Sequence, residues 1–219
     1  MSAEEKALLK EEGPEIAAET EEKQDAFLPF KKPYHFEGKD YDGIDMSGMS
    51  ALTVKDAIDA QRELFAQGEY AAAMLTETST AFARTIAAKA TGKPIEFFQL
   101  APRGVSRRVT ATVQAYLSAE DGADENHVLT FVEPYTFKGK EYTKIDLSEL
   151  ADLTGMNESE AENRIARAGF MVTDTSFNYL YACVLASMVT KLPEEFFTGL
   201  PIRETIRLKN AVNDPGFFE

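Results

Sequence analysis

The sequence predicts an α+β fold, predominantly helical, built of two homologous units, each a β-hairpin followed by about four short helices. Three observations carry this expectation. Residues 28–53 align without a gap on residues 129–154 at an offset of 101, with thirteen of twenty-six positions identical, where average residue usage gives about one or two by chance. The aromatic residues opening each copy alternate with the period of a strand. Beyond them, apolar residues recur at helical spacing.

Each unit opens with Tyr34/Phe36 or Tyr135/Phe137, a Gly-Lys turn at Gly38 or Gly139, and a second run through Tyr41/Ile44 or Tyr142/Ile145. Alternation broken by a turn glycine is a hairpin signal. The first helix begins at Thr53, which with Asp56 offers an N-cap, carries Val54, Ala57, Ile58, Gln61, Leu64 and Phe65 largely on one face, and stops at Gly68. Its twin is expected over 157–169. The second helix, 80–90 and 178–189, differs between copies. Arg84 and Lys89 keep the first amphipathic, whereas YLYACVLASMV is apolar nearly all round and is expected to be more buried. The offset becomes 99 at Pro94/Pro193, placing a two-residue deletion upstream. A short helix with a Phe pair follows, then a proline break and a last helix striped by Val105, Val109, Val113, Tyr116 and Leu117 in the first copy.

The expected organisation is an acidic disordered tail over 1–27, a first unit over 28–117, an acidic linker over 118–127 (SAEDGADENH) and a second unit over 128–219. Each unit is expected to fold on its own core.

The formal charge of −14 excludes partners that require phosphate neutralisation, so neither nucleic acid nor an anionic membrane is expected. The tail holds nine acidic and three basic residues and so supplies −6, leaving −8 elsewhere. A single cysteine, Cys183, and the lack of a signal-peptide pattern point to a cytoplasmic setting. The longest apolar run, residues 179–189, is short of the roughly 20 residues of a membrane span.

Catalytic, cofactor and metal sites are not expected. His35 and His127 have no Cys or His at ligand spacing, and Cys183 sits in an apolar helix as a small hydrophobe would. Asp45 and Asp146, between strand and helix, suit turn formation. Arg103, Arg107 and Arg108, with Arg203 and Arg207, read as a solvated or ion-paired face. The repeated Glu-Phe-Phe offers the one partner-binding candidate, Phe97, Phe98, Phe196 and Phe197, because adjacent helical residues point in different directions. Burial of one Phe of each pair and exposure of the other is the expectation.

The second copy then shows an ordered series: Pro134-Tyr-x-Phe-x-Gly, Ile145-Asp-Leu-Ser-Glu-Leu, Leu153-Thr-Gly-Met-Asn, Glu160-Ala-Glu, Ala168-Gly, an apolar Tyr-rich helix, Leu192-Pro-Glu-Glu-Phe-Phe and Leu200-Pro-Ile-Arg-Glu-Thr-Ile. Over nearly all of 128–213 this resembles the phage tail assembly chaperones. The resemblance implies a non-enzymatic protein of the host cytoplasm that binds the tape measure protein, with the tail tube protein as a further partner, and is absent from the finished virion. Duplication departs from the family's usual single unit. Two other readings stay open: a structural virion component of tail or neck, and a host-directed interaction or regulatory module. Self-association is compatible with all three.

Overall fold

The computed structural model describes residues 26–118, 127–171 and 175–214. The expected disordered tail and acidic linker lie almost wholly outside the described residues.

The first unit holds β1 (Phe27–Phe36), β2 (Lys39–Asp45), α1 (Val54–Ala66), α2 (Tyr70–Met74), α3 (Thr80–Thr91), α4 (Ile95–Gln99) and α5 (Arg103–Ser118). The second holds β3 (Val128–Phe137), β4 (Lys140–Asp146), α6 (Gly155–Arg167), α7 (Tyr179–Thr190), α8 (Glu194–Thr198) and α9 (Glu204–Val212). The α+β fold with two hairpin-plus-helix units is thus present.

Both hairpins are antiparallel and pair in the same way: Tyr34 faces Tyr41 and Tyr135 faces Tyr142, with an irregularity after Pro29 or Thr130. The turns are one residue earlier than expected, at Glu37-Gly38 and Lys138-Gly139, where both central residues take positive φ. That is the two-residue geometry matching strand twist, and the glycine adopts it without steric cost.

Helix α1 starts with the predicted capping box of Thr53 and Asp56, and α6 with its duplicate, Thr154 and Asn157. The second box moves the start of α6 to Gly155, two residues before the expected one. Helices α3 and α7 open identically, with Ser79 and Asn178 accepting from the amides of Phe82 and Tyr181. As expected, α7 is buried along nearly its whole length, whereas α3 buries only Phe82, Ala83, Ile86 and Ala87.

The cores of the two units are continuous with each other, their buried apolar residues forming one cluster. Its seam sets α1 of the first unit against α7, α8 and α9 of the second. Backbone joins backbone there: Val54 N donates to Leu200 O at 2.8 Å and Ile202 N to Leu52 O at 2.9 Å. The Gln61 amide donates to Ala73 O and Phe177 O, both at 2.8 Å, and its oxygen accepts from Tyr179 N at 3.3 Å. The Thr76 and Tyr179 hydroxyls meet at 2.5 Å, Phe65 packs edge-on against Phe170, Arg203 lies over the Tyr116 ring, and Lys209 pairs with Glu77. The reason is chemical: a helix apolar all round cannot be covered by its own unit alone, so its second face needs another layer.

Candidate functional site

The four phenylalanines singled out by sequence are all core residues: Phe97 is 1% exposed, Phe98 2%, and Phe196 and Phe197 both 0%. The expected exposed ring in each pair is therefore corrected. Helix α4 is enclosed on two sides, by the hairpin and by α3, so adjacent side chains pointing in different directions both meet apolar neighbours. Phe97 has the rings of Tyr34, Phe36, Tyr41 and Phe98 at centroid distances of 4.9, 5.2, 5.0 and 5.1 Å. Phe196 repeats this with Tyr135, Phe137, Tyr142 and Phe197 at 5.2, 5.3, 4.8 and 5.0 Å. These tilted and edge-on contacts suit aromatic quadrupoles. The Tyr34 hydroxyl also donates to Phe97 O at 3.0 Å. The repeated aromatics thus form the clasp holding each hairpin to its helices.

The polar candidates fall where turn chemistry places them. Asp45 and Asp146 accept from the amides of Ser47 and Ser148 two residues on, at 2.8 and 2.9 Å. Hydrogen bonds from Ser148 hold the Asp146 carboxyl below its ordinary pKa. His35 sits 2.8 Å from Asp40 on the exposed hairpin. Cys183 is fully buried, and burial pushes its thiol far above the ordinary range, so the nucleophilic thiolate is suppressed. No group of three His, Cys, Asp or Glu side chains suited to a metal occurs among the described residues, and no described helix is long and apolar enough to cross a membrane.

What is open lies elsewhere. Leu100 is 70% and Met156 84% exposed, and Leu75 and Met171 are exposed too. A groove between α3 and α5 is lined by Thr78, Thr80, Arg103, Ser106, Arg107 and Gln114, with Arg103 and Arg107 reaching solvent. The outer side of α6 presents Glu158 and Ser159, with Glu162 half-buried. Of the arginines expected to be solvated or ion-paired, Arg103 and Arg107 are solvated, and the groove they line was not expected. Its signal was the offset of 99, since Thr78, Thr80 and Arg103 stand where the second unit has Phe177, Tyr179 and Ile202, whose backbones bond to the first unit.

Comparison with protein families, curated proteins and solved structures gives no match for this chain.

Proposed function

We propose that this chain is a phage tail assembly chaperone that binds the tape measure protein and keeps it soluble while the tail tube assembles. The reading rests on the ordered motif series over 128–213. Helical units joined into one body with grooves between their helices suit a holder of amphipathic helices. With the phenylalanine pairs in the core, contact falls to exposed apolar residues, chiefly Leu75, Leu100, Met156 and Met171. Unbranched, polarisable methionine adapts to varied apolar partners.

Such a holdase acts without covalent chemistry. It covers apolar stripes of a long helix reversibly, and polymerising tube subunits then displace it. The experiment is co-expression with the neighbouring tape measure protein. The intact chain is expected to raise its soluble fraction and to co-purify with it, and a variant carrying Leu100→Ser and Met156→Ser to do so less well. A tape measure protein equally insoluble with and without the chain overturns the reading.

A further inference from the structure

Helix α5 carries two arginines that the rest of the fold leaves unpaired. Arg103 and Arg107 stand one turn apart on its exposed side and line the groove against α3 with Thr78, Thr80, Ser106 and Gln114. Among the described residues no carboxylate pairs with either, although Lys55, Arg62 and Lys89 of the same unit each find one. Carboxylates are not scarce in a chain of formal charge −14.

The nearest uncommitted supply lies just ahead of β1. Residues 1–25 hold nine acidic and three basic residues, and Glu19, Glu21 and Glu22 fall within ten residues of Pro29. The path from there to the groove is short. Arg108, next to Arg107, turns instead to the hairpin and donates to Pro29 O, so the start of β1 and the groove flank the same stretch of α5. Crossing a helix about 10 to 12 Å wide takes about four extended residues at about 3.3 Å each. Residues 19–22 therefore reach the groove with chain to spare. Their spacing also fits: carboxylates two apart on an extended chain lie on one side about 6.6 Å apart, and side chains four apart on a helix about 5 to 6 Å. Glu19 and Glu21 thus match Arg103 and Arg107. The other acidic stretch, residues 119–126, is a poorer match, since it leaves α5 at Ser118, about 16 Å along the axis from Arg107, and is held at both ends.

We propose that the acidic N-terminal segment of this chain is the occupant of the α3–α5 groove, with carboxylates of residues 19–22 paired to Arg103 and Arg107. The pairs are charge-assisted but open to solvent, so each is weak and screened by salt. Tethering compensates, because a linked segment meets its site at an effective concentration on the order of millimolar. The segment is thereby an internal competitor: an acidic stretch of another protein gains the arginines only by displacing it.

The test is a titration of the intact chain at low salt with a synthetic peptide of residues 15–25, followed through the nitrogen-15 shifts of the Ser106, Arg107 and Gln114 amides. Three chains are compared: the wild type, a variant with Glu19→Gln, Glu21→Gln and Glu22→Gln, and one with Arg103→Glu and Arg107→Glu, each shown by circular dichroism to be folded. For a peptide affinity of about 0.1 mM and a millimolar tether, the wild type is expected to bind the peptide about tenfold more weakly than the Glu-to-Gln variant. The variant with reversed arginines is expected not to bind it, and raised salt to abolish binding throughout. Equal binding by the wild type and the Glu-to-Gln variant shows the groove open in the wild type and overturns the proposal. So does binding that survives reversal of the arginines, or no binding to the Glu-to-Gln variant up to about 1 mM. A gain in binding seen instead on neutralising Glu120, Asp121, Asp124 and Glu125 overturns it as well. None of these outcomes depends on a tape measure protein, so the chaperone reading stands or falls separately.

Discussion

Gln61 is the polar residue on which the seam turns, and its replacement gives the sharpest test of the joined core. The side chain is 1% exposed and makes three hydrogen bonds, to Ala73 O, Phe177 O and Tyr179 N, tying α1 to the loop before α7 and to the end of α2. Gln61→Leu keeps most of the volume and removes all three. At about 1 kcal/mol net per bond, and more for each buried backbone group left without a partner, the loss is about 3 to 5 kcal/mol. For a chain of this size that lowers the melting temperature on the order of 10 °C. Glu162, half-buried at the duplicate position in α6, provides the control, with Glu162→Gln expected to stay within about 0.5 kcal/mol. Urea unfolding followed by tyrosine fluorescence and by circular dichroism measures both. A loss under about 1 kcal/mol for Gln61→Leu would refute the view that this amide holds the units together.

Four further outcomes are expected. Phe196→Ala removes the ring at the centre of the second aromatic clasp and costs about 3 to 5 kcal/mol in denaturant unfolding; a near-neutral result would return Phe196 to the surface. Cys183 reacts with a thiol reagent only as fast as the chain opens, so its labelling rate follows unfolding as urea is raised, and rapid labelling in buffer contradicts its burial. Glu204 is buried beside Arg207 and accepts from Val132 N, and burial outweighs those partners to raise its pKa. A carboxyl whose folded pKa lies above its unfolded value loses stability as pH rises from the unfolded value, about 4.3, through the folded one. Wild type is therefore expected to be more stable relative to Glu204→Gln at pH 4 than at pH 7, and the opposite trend refutes the assignment. Residues 128–219 made alone uncover Tyr179, Leu200 and Ile202, and are expected to bind a hydrophobic dye and melt below the intact chain; a monomer as stable as the whole would show that the seam contributes nothing.

The hairpins, the first helix and the Phe-bearing short helices were legible in the sequence because their signals are local. Turn glycines, Thr53 with Asp56 and Pro94 act within a few residues of themselves. The start of α6 was misread although Thr154 and Asn157 repeat that capping box, because glycine at 155 weakens the helical pattern there. Helix α2 was missed, being five residues of mostly alanine with no cap hydrogen bond. The phenylalanine pairs were not legible as core because adjacent helical residues point in different directions, and only the enclosure of α4 and α8 by hairpin on one side and helix on the other buries both. The seam was least visible, since its partners are over a hundred residues apart. Two signs of it were nonetheless present: a glutamine on an otherwise apolar face, and a helix without a polar side.

Those two signs also explain why the copies have diverged where they have. Identical units would give identical faces, and an apolar face shared by both would leave one copy of it bare at each end, inviting uncontrolled growth. Here α1, which buries Val54, Ala57 and Ile58, packs on α7, α8 and α9 of the second unit, while the same positions of α6 carry Gly155, Glu158 and Ser159, and the first unit has Thr80, Ala101 and Arg103 where the second buries Tyr179, Leu200 and Ile202. The hairpin clasp, needed by each unit for itself, has kept its aromatics in both. Divergence follows the position of each surface in the pair. Against that shared clasp, the buried Ala57, Ile58, Tyr179 and Ile202 are replaced in the other copy by Glu158, Ser159, Thr80 and Arg103.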